Sequence, residues 1–189
     1  MKRELKILLL TSSLFMFAGG LFGPLYAVFV EGIGGNLLTA GSAYSVFAVA
    51  AGVSIFFISK WEDHVKHQEK LVVLGYAFSF IGYICYLFVN QPLDLFFVQL
   101  IFGVGGAICT PAYDGLYSKS LDKGKYASEW GMWESMAYIV TGIAALIGGY
   151  VANTYGFRIL FSMMIIVSLI GLITSIILLF EIKKRNKLQ

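Results

Sequence analysis

The sequence predicts an all-α, polytopic membrane protein: six transmembrane helices arranged as a 3+3 inverted repeat. Three observations predict it. Of 189 residues, 58% are hydrophobic and only 13% are charged, against about 25% charged in a soluble domain. Six apolar segments each approach the ~20 residues that a bilayer span needs. Thirteen of the 14 Lys and Arg residues fall between or beyond these segments on one side of a six-span layout.

The spans are taken in order. Span 1, residues 7–30, follows a basic leader of Lys2, Arg3 and Lys6. That beginning imitates a signal peptide, but the apolar run continues to Val30 with no A-x-A-like site, so a retained helix is expected. Span 2 covers 37–59, span 3 71–89, span 4 93–117, span 5 128–152 and span 6 159–180. None alternates with period two, as a barrel strand would. The joins are short, and the longest of them are "KWEDHVKHQEK" and "SKSLDKGKYA". A single membrane domain, 1–189, is therefore expected, with one repeat at about 7–89 and the other at about 93–180.

Lys and Arg set the orientation. Lys2, Arg3 and Lys6, then Lys60, Lys66 and Lys70, then Lys119, Lys123 and Lys125, and finally Lys183, Lys184, Arg185 and Lys187 share one side; Arg158 alone takes the other. The positive-inside rule makes that side, and both termini, cytoplasmic. Trp61, Trp130 and Trp133 fall near the same boundary, where interfacial aromatics sit. Small residues at helical spacing (Gly19 and Gly23, Ala48 and Gly52, Ala144 and Gly148, Ala145 and Gly149) mark sites of close helix approach.

The repeat is read from echoes. Span 1 holds "AGGLFGPLYAVF" and span 4 "VGGAICTPAYDGLY", each a Gly pair, then Pro, then Tyr two residues on. Spans 2 and 5 share Ala-Tyr followed by small and apolar residues, at Tyr44 and Tyr138. Three spans per copy reverse the orientation of the second copy. Pro24 and Pro111 stand as helix breakers in matching positions, a feature of inverted-repeat transporters.

The stretch from Val98 to Phe161, with its Gly-rich span 4, basic loop, "IGGYVANTYGFR" and aromatic-led span 6, resembles spans 4 to 6 of the major facilitator superfamily. That family's loop between spans 2 and 3 reads roughly G-x-x-x-D-[RK]-x-G-[RK]-[RK], and "SKWEDHVKHQ" is its degenerate counterpart. Asp63 keeps the acidic position. Ser59, His64, Lys66 and His67 stand in for the other motif residues. The resemblance covers nearly the whole chain but half of a twelve-span member. It implies a transporter fold and a cytoplasmic gate in which Asp63 and Asp114 are the acids and His67 a basic partner. The half length implies either a homodimer of half-transporters working by alternating access or a piece of a longer chain.

Several residues carry open alternatives. Asp114, near the inner end of span 4, is a gate tie, a proton carrier or a solvated interfacial carboxylate; an intramembrane carboxylate is a functional candidate by default. Glu129 belongs to the same charged rim. Glu134 lies deeper and is a candidate coupling or substrate contact, or a partner in a helix-to-helix hydrogen bond. His64 and His67 are spaced for a metal, but in a charged loop solvated side chains explain them, so no metal is expected. Of the midplane polar residues, which include Gln99, Tyr26, Tyr44, Tyr113 and Tyr138 are candidate pathway linings facing one cavity, or tyrosines packed between helices. Such a lining suits a neutral, amphipathic or aromatic solute.

No phosphate loop, nucleophile with partners or Cys cluster is present in the sequence, so neither an enzyme nor a cofactor is expected. Scattered basic clusters between apolar runs do not suggest nucleic acid. The expected partners are the lipid bilayer, a small-molecule substrate and a second copy, in a bacterial or archaeal cell membrane. The competing reading is a non-transporting subunit, regulator or assembly factor that keeps the fold.

Overall fold

Apolar segments this long satisfy their backbone groups in lipid only by forming helices. The computed structural model describes residues 3–186, with side chains as far as Ile182. Lys2 and Lys187, and the side chains of Lys183, Lys184 and Arg185, lie outside the described residues. The helices are α1 (Arg3–Phe22), α2 (Tyr26–Gly32), α3 (Leu37–Glu62), α4 (Gln68–Tyr86), α5 (Pro92–Ser120), α6 (Tyr126–Tyr155) and α7 (Phe157–Asn186). A 3₁₀ turn, Gly23–Leu25, joins α1 to α2, and together these make one span. Six spans result, and the described residues form no strand.

Local chemistry fixes the helix ends. Asn36 caps α3: its Oδ1 accepts from the Thr39 amide at 2.9 Å, while Thr39 Oγ1 accepts from the Asn36 amide. At α5, one carboxylate oxygen of Asp94 accepts from the amides of Asn90 and Gln91, at 3.0 and 3.2 Å. A carboxylate in the first turn also suits the positive end of the helix dipole. Between α6 and α7 stands only Gly156, at φ 82°, a left-handed conformation that a side chain disfavours.

The two prolines differ. Pro24 sits in the 3₁₀ turn that separates α1 from α2. Pro111 lies inside α5, which continues through it. A helix-interior proline forfeits one backbone hydrogen bond and crowds the preceding turn. α5 packs against α3, α4 and α1, and those neighbours hold its axis.

Helices meet where small residues let backbones approach. A Cβ on Gly148 of α6 would overlap the Leu21 carbonyl of α1, and one on Gly20 would come within 3.0 Å of the Ala144 Cβ. Gly75 of α4 sits as tightly on Cys109 and the Gly105 carbonyl of α5. α7 closes the bundle against α1 and α4. There Phe22, Phe29, Tyr86 and Phe161 form an aromatic cluster, edge-to-face except that Tyr86 stacks on Phe161, with Phe22 and Phe161 centroids 5.2 Å apart. In contrast, α3 buries only Ala40, Ala43 and Glu62, and α6 only Glu129, Ala144, Gly148 and Val151.

Candidate functional site: two aromatic cavities and a charged rim

Alternate helix ends gather at two ends of the bundle. One, here the charged end, holds the start of α1 and the ends of α3 and α5. The opposite end holds α2, the end of α4 and the start of α5.

Toward the opposite end lies a cavity of ≈ 340 Å³. It is walled by Tyr26, Tyr44, Tyr83, Tyr86, Gln99 and Phe102, with Gly19 and Gly23 leaving room on the α1 side. Gln99 is buried, and its Nε2 donates to Tyr86 Oη at 3.4 Å. Tyr26 Oη is buried beside the Gln99 amide. An amide and a neighbouring phenol among aromatic side chains form an apolar box with a few polar handles, the usual make-up of a small-molecule site.

Toward the charged end lies a second cavity of ≈ 410 Å³. Ser12, Phe15, Tyr76, Tyr113, Asp114 and Trp133 line it. Phe15 and Tyr76 stack face to face, with centroids 3.9 Å apart. Tyr113 Oη reaches Ser12 Oγ at 3.0 Å and the Leu8 carbonyl at 3.2 Å, tying α5 to α1. Trp133 Nε1 is buried and points toward the Tyr113 hydroxyl. Tyr113→Phe is expected to cost about 0.5–1.5 kcal/mol, the net worth of such a bond, read as a lower unfolding temperature in detergent.

The four tyrosines therefore do not share one cavity. Tyr26 and Tyr44 line the first and Tyr113 the second, while Tyr138 is 77% exposed on α6.

At the charged rim, Asp63, His64, Lys66 and His67 are all exposed. The acid that is buried is their neighbour Glu62, 2% exposed, with neither carboxylate oxygen hydrogen-bonded. Gln68 Nε2 donates to the Glu62 carbonyl at 3.4 Å, and Lys119 Nζ donates to Gln68 Oε1 at 2.8 Å. His67 Nδ1 meets Glu69 Oε1 at 2.9 Å. Glu129 accepts the Asp122 amide at 2.8 Å, and its carbonyl accepts from Tyr117 Oη at 2.5 Å. Asp114 is not brought to Asp63 or His67; it faces the second cavity. Glu134 is exposed on α6. Among the described residues no cluster of His, Cys, Asp and Glu is arranged to hold a metal.

The sequence reading did not single out Glu62, Gln68, Tyr76 or Trp133 as site residues. Glu62 and Asp63 differ by one position, about 100° of helix rotation, and only helix packing decides which of the two turns inward.

The sequence profile of the Major Facilitator Superfamily matches residues 8–189. The chain belongs to that superfamily. Among similar proteins is an uncharacterized MFS-type transporter of Methanocaldococcus jannaschii, 23% identical over 161 residues, which are 85% of this chain and 42% of that protein. Another is the multi-drug resistance efflux pump PmrA of Streptococcus pneumoniae, 26% identical over 157 residues, 82% of this chain and 39% of the pump. The quinolone resistance protein NorB of Staphylococcus aureus is 29% identical over 139 residues, 71% of this chain and 29% of NorB. The chain thus spans about two fifths of the length of the first two relatives. It is an integral membrane protein of a transporter superfamily.

Proposed function

We propose that the chain is one six-helix half of a secondary transporter for small amphipathic solutes that carry an aromatic ring. Two copies, side by side in the same sense, form the working unit. The observation that carries this reading is the cavity walled by Tyr26, Tyr44, Tyr83 and Tyr86 around Gln99. Tyrosine faces take a flat apolar ring, and the Tyr26 hydroxyl and the Gln99 amide supply the polar contacts that orient it. The names of two relatives, a multi-drug efflux pump and a quinolone resistance protein, fit the same solute class.

Helix neighbours support the inverted repeat. Exchanging the first three spans with the last three turns the α1–α6 contact into α5–α3 and α1–α7 into α5–α4, and returns α4–α7 to itself; all of these contacts are present. The α6–α7 contact has no equally broad counterpart between α3 and α4. The basic clusters support a cytoplasmic position for the charged end, in a bacterial or archaeal cell. In the twelve-span architecture the pathway lies between two six-span halves related by an axis along the membrane normal. Here α3 and α6, with Tyr44, Val49, Phe56, Tyr138 and Leu146 exposed, offer the face for the second half. Rocking of one copy against the other then opens the two cavities alternately.

Bifunctional cross-linking in native membranes tests the pairing. A product of twice the chain mass is expected, and it should disappear on dilution into excess lipid. Monomer alone, at every cross-linker concentration, contradicts it.

A further inference from the structure

The second cavity differs chemically from the first, because one wall carries a carboxylate. Asp114 is half-buried and makes no hydrogen bond or ion pair with the described residues. The cations of the charged end are engaged elsewhere or turned outward. Lys119 is bonded to Gln68, His67 meets Glu69, and Lys60 lies 4.6 Å over the Phe56 ring. His64 and Lys66 are exposed. Around the carboxylate the lining is aromatic: Phe15 and Tyr76, stacked on each other, from α1 and α4, Tyr113 from α5, and Trp133 from α6.

We infer that this cavity binds an organic cation bearing an aromatic ring, with Asp114 as its counter-ion. A carboxylate at the membrane rim that lacks an internal partner is matched by a ligand that brings the positive charge. Aromatic faces add cation–π attraction, strongest where water is displaced. A volume of ≈ 410 Å³ accommodates a drug-sized molecule. An anion is disfavoured by Asp114, and among the described residues no group of three or more His, Cys, Asp and Glu is arranged there to hold a divalent metal. The site belongs to one chain, so it does not depend on the transport reading or on pairing.

The test is equilibrium binding of N-methylquinolinium to the full chain in detergent, corrected for protein-free micelles. Saturable one-to-one binding is expected. Asp114→Asn should weaken it by about ten-fold or more, and Asp114→Glu should keep most of it, as loss of one charge partner at intermediate dielectric implies. A wild type without saturable binding, or an Asp114→Asn variant that binds as tightly as wild type, overturns the inference. Should Asp114→Asn not fold, Thr110→Cys supplies a second readout, since Thr110 lines the cavity and is exposed. N-methylquinolinium is expected to slow maleimide labelling of that thiol, and potassium at the same concentration is not. Equal labelling in both overturns it. Flux measurements play no part, so a protein that binds the cation without transporting it leaves this site standing.

Discussion

Gly148→Ala is expected to destabilise the protein by about 1–3 kcal/mol, and Gly148→Val to abolish recovery of folded protein. The cause is one methyl group meeting backbone. A Cβ at Gly148 would overlap the Leu21 carbonyl, which is main chain and has no rotamer to escape into. α6 must then move off α1, and overpacking of this kind costs about 1–3 kcal/mol or more. In lipid the penalty falls on the interaction that holds helices together, because close contact rather than water exclusion drives their association. Gly149→Ala is the control: nothing lies within 4 Å of its Cβ position. Thermal unfolding of the purified variants in detergent reads the difference. A Gly148→Ala protein as stable as Gly149→Ala contradicts the α1–α6 contact.

Gly23→Trp is expected to abolish solute binding and transport while leaving the fold intact. Gly23 lines the tyrosine-walled cavity, and no atom lies within 4 Å of its Cβ position. An indole there has space, and the space it takes is the cavity itself. With ≈ 340 Å³ available, filling much of the volume excludes a solute of drug size. The expected loss in flux or affinity is at least about 100-fold, the consequence of removing the burial that supplies binding energy. The unfolding temperature should stay near that of wild type. Full activity in a folded Gly23→Trp protein removes this cavity from the pathway.

These expectations also separate what was legible in the sequence from what was not. The six spans were legible because backbone satisfaction in lipid demands long apolar helices. Their ends were less so. Span 3 was expected at 71–89, whereas α4 runs Gln68–Tyr86, because the apolar residues Leu87 to Val89 belong to a turn that hydropathy does not distinguish from helix. The small-residue pairs were visible as spacing only. Ala144 and Gly148 meet α1, while Gly23, Gly52 and Gly149 have open space at their Cβ positions. Two neighbouring pairs on one helix point about 100° apart, and tertiary contacts choose between them.

The same holds for the site. Tyr26 and Tyr44 were singled out by the echoes between spans, and both border one cavity. Tyr113 has the right residue type and the opposite depth. Asp114 was legible as an unusual charge. Its aromatic surroundings were not, because Phe15, Tyr76 and Trp133 come from three other helices. Long-range contacts between helices have no local sequence signal.

The most direct test of the transport reading is flux of a fluorescent aromatic solute across proteoliposomes that hold only this chain, with protein density varied. Saturable flux that rises with the square of protein density at low density, and that Gly23→Trp abolishes, is the expected result. Folded protein in the bilayer with no flux at any density, or flux strictly proportional to density in vesicles where cross-linking finds only monomer, would contradict the working pair of half-transporters.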